Sequence, residues 1–291
     1  MCDENFEHDL ENYARLPRLT RRQLGAASIG AGVLFALPRA ADAQAVREQD
    51  VVIKTPDGEC DAYFVHPASG ASPGVIVWPD ILGLRPAFRQ MGKRLAESGY
   101  AVLTVNPFYR TAKSPVVPAG ASFADQKTRD IVMPLAKSIS DPAIAGRDAK
   151  AFVAWLDQQA AVDKRRKIGT TGYCMGGPIV MRTAAAEPGR IGAGASFHGG
   201  GLVTKEPSSP HLLVPQMKAS FLFAVAQNDD ERDPTAKDVL RETYAKAKLP
   251  AEIEVYAAAH GWCPPDSAVY DQKLAERAWS RLLVLFKTAL A

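Results

Sequence analysis

Apolar residues along this chain fall into short runs separated by helical stretches, a pattern that starts near residue 46. Residues 51–54 and 62–65 flank Pro56-Asp57-Gly58, and an Asp-Gly turn between two apolar runs predicts a β-hairpin. Residues 74–78 are continuously apolar, as a strand covered on both faces must be. A helix is predicted over 86–98, with Pro86 suited to its first turn, and a buried strand over 100–105. A helix near 146–158 leads to a strand at 167–171, and another helix opens just after Cys174. Strands at 193–197, 220–226 and 253–256 follow, with a helix at 235–247 between the last two. The final helix, about 267–287, shows an apolar face at Leu274, Ala278, Leu282 and Leu285 or Phe286. Repeated strand–helix alternation predicts an α/β fold with a mostly parallel sheet covered on both faces. Residues 109–143 are rich in Pro, Ser and Ala and show no clear long element, which reads as a lid or substrate-binding loop. No linker-like stretch divides residues 46–291, so one domain is expected there.

The first 45 residues read as a leader rather than as fold. Arg21-Arg22 precedes a small-residue and apolar run over 25–37, followed by Pro38 and Ala41-Asp42-Ala43-Gln44-Ala45. This is the grammar of a secretory signal, and the paired arginines resemble a twin-arginine signal. Cleavage is expected after Ala43 or Ala45, giving a periplasmic or secreted protein. The apolar run is too short to span a bilayer comfortably, so no membrane partner is expected after its removal.

Charge narrows the picture further. The formal net charge of +3 is spread without a basic stripe, which argues against nucleic acid. The cluster Lys164-Arg165-Arg166-Lys167 reads as a solvated turn. Of the four cysteines, Cys2 lies in the leader, leaving Cys60, Cys174 and Cys263. An odd thiol in an exported chain points to a reactive cysteine, with a Cys60–Cys263 disulfide possible for the others. No CxxC pair or His/Cys cluster with zinc spacing occurs, so no metal site is expected.

The sharpest chemical signal is Gly172-Tyr173-Cys174-Met175-Gly176-Gly177, which follows a strand and opens a helix. It is the nucleophile-elbow pattern with Cys in the nucleophile position. The turn is tight, so Gly172 and Gly176 relieve clashes, and the helix N-terminus favours thiolate at Cys174. The Met175 N–H then becomes an oxyanion donor. The base must be a histidine after the acid in chain order, and His260, following the last strand, has that position. His198, at the end of an earlier strand, is expected to line the site. The acid should follow residues 220–226, where Asp229 and Asp230 both stand; Asp229 is the better placed, and the other would solvate the loop or cap the next helix.

The arrangement resembles the dienelactone hydrolase (carboxymethylenebutenolidase) family of the α/β-hydrolase superfamily over nearly all of residues 50–290. The matching pieces are Trp78-Pro79-Asp80-Ile81-Leu82-Gly83, Asn106-Pro107-Phe108-Tyr109-Arg110, the elbow, Asn228-Asp229-Asp230 and His260-Gly261-Trp262. The resemblance implies an α/β-hydrolase fold of about eight strands and a Cys174–His260–Asp229 triad acting without cofactor on a small-molecule ester or lactone. It also implies a second oxyanion donor at the Ile81 N–H and a substrate-carboxylate contact at Arg110. Asp80 stands where the best-known members carry a Glu that handles the thiol proton. The second arginine of lactone-specific members is absent, since Gly261-Trp262-Cys263-Pro264-Pro265 follows the histidine. A broad carboxylesterase or thioesterase is the alternative enzyme. Other classes are a non-catalytic binding protein on the same fold and a thiol redox sensor built on the three cysteines. A monomer or small homo-oligomer is expected.

Overall fold

The computed structural model describes residues 37–38 and 43–291. The expected leader therefore lies outside the described residues, apart from positions 37–38 and 43–45. The expected hairpin is formed by β1 (Val46–Thr55) and β2 (Gly58–Pro67), paired antiparallel from Thr55↔Gly58 to Val46↔Pro67. β1 starts earlier than its apolar core because as an edge strand it needs only one covered face. The remaining strands are β3 (Gly74–Trp78), β4 (Ala101–Val105), β5 (Ile168–Tyr173), β6 (Ile191–Phe197), β7 (Ser220–Ala226) and β8 (Ala251–Tyr256). They form an eight-stranded sheet in the order β1-β2-β4-β3-β5-β6-β7-β8. From β4 to β8 all pairings are parallel.

Helices α1 (Pro86–Glu97), α2 (Gln126–Ser138), α3 (Pro142–Leu156), α4 (Gly176–Ala186), α5 (Gln227–Arg232), α6 (Ala236–Ala247) and α7 (Gln272–Ala289) connect or follow the strands. One face of the sheet is covered by α3, α4 and α6 through Phe152, Leu156, Val180, Met181, Leu240 and Tyr244. The other is covered by α1 and α7 through Phe88, Met91, Leu95, Ala278, Leu282 and Phe286. Every residue of β3, β4, β5 and β6 is buried, which is why β3 and most of β4 read as apolar runs rather than as alternation, while β5 carries the small buried Thr170 and Thr171. The central strands end together at one edge of this two-sided core, and in open parallel sheets that carboxyl edge is where ligands bind.

Three boundaries differ from the sequence expectation. Residues 109–143 do contain a long element, α2, whose buried face is Thr128, Val132 and Leu135 at helical spacing. Pro134 inside that helix hides it from a periodicity reading. α3 begins at Pro142, earlier than the apolar pattern suggests, because the Asp141 carboxylate accepts the Ala143 N–H at 2.9 Å. α7 begins at Gln272, later than expected, with Asp271 capping the Leu274 N–H at 2.9 Å. Among the described residues, no helix is long and apolar enough to cross a membrane.

Candidate active site

The nucleophile elbow is a steric construction. β5 ends at Tyr173, Cys174 takes φ +52°, and α4 starts two residues later. A left-handed backbone is costly for a residue with a Cβ, and such strain collects at functional sites. A Cβ on Gly172 would lie 2.3 Å from the Gly176 carbonyl oxygen. A Cβ on Gly176 would lie 2.5 Å from the Trp78 carbonyl oxygen and 3.0 Å from that of Pro79. The two glycines thus let the turn close on itself and let the elbow abut the end of β3. The Cys174 N–H donates to the Phe197 carbonyl at 3.0 Å, and the Gly177 N–H donates to the Cys174 carbonyl at 3.0 Å. The thiol is left partly exposed at the N-terminus of α4.

Asp229 and His260 come from the ends of β7 and β8. Asp229 lies in α5, and its Oδ2 is 2.7 Å from His260 Nδ1. The Asn228 side-chain oxygen accepts the His260 backbone N–H at 2.8 Å, fixing the loop that carries the imidazole. Arg232 donates to the other Asp229 oxygen at 3.1 Å. Asp230, the alternative acid, faces away and accepts from Lys237 Nζ at 2.7 Å. Cys174 also acts electrostatically on the same imidazole. Burial works against a charged imidazole here, yet the Asp229 carboxylate and Cys174 together hold His260 well above the ordinary imidazole range.

Ile81 and Met175, the expected oxyanion donors, follow the abutting ends of β3 and the elbow. Their side chains enter a small apolar cluster with Val117 and Val132, which Phe123 and Met133 flank. The region containing α2 therefore roofs this part of the cleft. In the loop after β3, the Asp80 carboxylate accepts the Leu82 N–H at 2.9 Å and the Asp80 carbonyl accepts the Gly83 N–H at 2.9 Å. The Ile81 N–H stays outside that turn's own bonds.

Two expected substrate contacts are placed differently. Both Asp80 oxygens are bound by the buried Arg85 guanidinium, at 2.6 and 2.9 Å. Arg110 is engaged by Asp148 at 2.6 and 3.0 Å and by Asp57 at 2.7 and 3.1 Å, and its guanidinium lies 4.4 Å over the Tyr109 ring. Two carboxylates saturate its fork, so it has little left to offer a substrate carboxylate. The physical reason was hidden in sequence distance, since Asp57 lies on the β1–β2 turn and Asp148 on α3.

His198 does reach the site region. It is buried at φ +41°, with its ring centroid 5.0 Å from that of His260 and 5.1 Å from Trp262. Burial, then the neighbouring His260, depress it well below the ordinary range, so His198 stays neutral beside a charged His260. A Cys60–Cys263 disulfide is excluded: both thiols are free, and they belong to the cores on opposite faces of the sheet. Sequence reasoning missed Asn228, Arg85 and Asp266. Asn228 adjoins the acid and was within reach of the pattern; Arg85 and Asp266 carry no motif.

Comparison with known proteins gives the family and the fold. The dienelactone hydrolase family model matches residues 60–290. A carboxymethylenebutenolidase of Rhodococcus opacus is 26% identical over 239 residues, covering 78% of this chain and 86% of the relative. The solved dienelactone hydrolase of Anabaena variabilis superposes with a TM-score of 0.61 at 17% identity, covering 84% of this chain and 99% of that one. A dienelactone hydrolase-like promiscuous phosphotriesterase from metagenomic libraries superposes with a TM-score of 0.70 at 21% identity, covering 85% and 100%. The chain has the α/β-hydrolase architecture and belongs to the dienelactone hydrolase family.

Proposed function

We propose that this ester or lactone hydrolase works by two-step acyl transfer through Cys174. The thiolate attacks the substrate carbonyl, and the Ile81 and Met175 N–H groups receive the oxyanion. His260 gives its proton to the leaving alkoxide as the C–O bond breaks, leaving a thioester on Cys174. His260, now neutral, takes a proton from water; the hydroxide adds to the thioester, and collapse releases the acid and restores the thiolate. Asp229 holds the imidazole by its Nδ1 and stabilises the charged form. The observation that carries this reading is the 2.7 Å Asp229–His260 contact, with Cys174 acting electrostatically on the same imidazole.

The surroundings of Arg110 favour substrates that carry no obligatory carboxylate, hence a broad carboxylesterase or thioesterase over a dedicated dienelactone enzyme. The test compares p-nitrophenyl acetate with a carboxylate-bearing enol lactone, in wild type and in Cys174→Ala. Turnover of the simple ester at least matching the lactone, lost in the variant, supports the reading; strong preference for the lactone overturns the substrate assignment. Export by a twin-arginine-type leader is proposed from Arg21-Arg22 and the apolar run that follows. N-terminal sequencing of the exported protein should begin after Ala43 or Ala45, and an intact Met1 contradicts it.

A further inference from the structure

Arg85 stands outside the triad and is almost wholly engaged between two loops. Its side chain is 7% exposed. A guanidinium has five N–H donors in a fixed fork, and in Arg85 each is matched to an acceptor. Nη1 donates to Asp80 Oδ1 at 2.6 Å and to the Gly83 carbonyl at 3.3 Å. Nη2 donates to Asp80 Oδ2 at 2.9 Å and to Asp266 Oδ1 at 2.9 Å. Nε donates to Asp266 Oδ2 at 2.6 Å. Both carboxylates are thus held in bidentate fashion by one cation.

The two carboxylates belong to different parts of the cleft. Asp80 immediately precedes Ile81, and the same carboxylate fixes the Leu82 N–H. Asp266 lies six residues past His260, in the loop between β8 and α7. We propose that Arg85 is a positioning residue that bolts the loop bearing the Ile81 N–H to the loop bearing His260, so that the oxyanion donor and the base keep one relative placement during acylation of Cys174.

A buried ion cluster is poorly explained by stability, because well-packed apolar residues often serve as well. What it supplies here is fixed geometry across two segments 181 residues apart. Its net charge is negative, with two carboxylates on one guanidinium, so it has no free donor for an anionic substrate. Lysine cannot replace it, since a point charge cannot fork onto two carboxylates at once.

The inference rests on the acyl-transfer reading and is tested so that the two separate. Wild type, Arg85→Lys and Asp266→Asn are compared by the rate of Cys174 acetylation with p-nitrophenyl acetate, the rate of Cys174 alkylation with iodoacetamide, and the melting temperature. Alkylation needs the thiolate but no oxyanion hole. In Arg85→Lys, acetylation should fall by about 10- to 100-fold, the scale of a misplacement of about 1 Å. The loss should appear in kcat rather than KM, with alkylation within about twofold of wild type. Asp266→Asn keeps the Asp80–Arg85 pair and loosens only the base loop, so a smaller loss of about 3- to 10-fold is expected. If Arg85→Lys does not fold, Asp266→Asn decides alone. Unchanged acetylation in a folded variant overturns the positioning role, as does equal loss with both reagents. A wild type that is alkylated at Cys174 but never acetylated overturns the hydrolase reading, and the positioning role with it.

Discussion

Replacing Gly176 with Ala should damage catalysis far more than it damages the fold. The added Cβ would sit 2.5 Å from the Trp78 carbonyl oxygen and 3.0 Å from the Pro79 carbonyl oxygen, against 3.4 Å for ordinary contact. Both neighbours are backbone, so neither can rotate away. Relief requires the elbow and the end of β3 to separate by about 0.9 Å, the difference between required and available space. Overpacking of that kind costs about 1–3 kcal/mol, which a domain of this size can survive. The same separation pulls the Met175 N–H away from the Ile81 N–H, and a displacement of about 1 Å at reacting groups costs about 100-fold in rate. Stopped-flow release of p-nitrophenolate gives the acylation rate, and calorimetry gives the melting temperature. Gly189→Ala is the control, because a Cβ there meets nothing within 4 Å. If Gly176→Ala acylates as fast as wild type, the two donors do not act as a fixed pair and the reasoning fails.

Other consequences are equally direct. Arg110→Ala leaves the buried Asp148 with only Tyr109 Oη, at 2.8 Å, as a side-chain donor, so urea denaturation should show a loss of about 2–4 kcal/mol. The ratio of rates for a neutral ester and a carboxylate-bearing lactone should not change in that variant; a selective loss on the lactone would return Arg110 to the substrate. Of Cys60, Cys174 and Cys263, native protein treated with iodoacetamide should be labelled at Cys174 alone, since burial raises the Cys60 and Cys263 thiols, whereas fast labelling of either would contradict their burial. His260 binds its proton more tightly in the folded chain than in the unfolded one. Its ion pair therefore contributes full stability below the ordinary imidazole value of 6.5, and that contribution is lost as pH rises through the raised folded value. NMR of the imidazole nitrogens should show a charged ring near pH 7, with a lower midpoint in Cys174→Ala; an unmoved midpoint contradicts the contact.

Most of the sheet was legible in the sequence because its central strands are buried on both faces, leaving unbroken apolar runs such as residues 74–78. The elbow was legible for a steric reason: Gly172 and Gly176 are dictated by backbone contacts that the spacing itself implies. His260 followed from chain order. The choice between Asp229 and Asp230 was not decidable by position, since it depends on which carboxylate the short α5 turns toward His260 and which toward Lys237. α2 was hidden because its buried face is only Thr128, Val132 and Leu135 and Pro134 interrupts it. Asp80 and Arg110 were read as substrate contacts because their partners carry no motif. Asp57 and Asp148 engage Arg110 from 53 and 38 residues away, and Arg85, five residues past Asp80, binds both Asp80 and the distant Asp266.

The central claim, a covalent acyl-enzyme on Cys174, is tested most directly by acid-quenching the reaction with p-nitrophenyl acetate and mapping the modified peptide by mass spectrometry. One acetyl group is expected, held as a thioester on Cys174, which decays as acetate appears, more slowly in Asp229→Asn, and which is absent from Cys174→Ala. Acetate released at the wild-type rate by Cys174→Ala, with no acetyl on the protein, would contradict it.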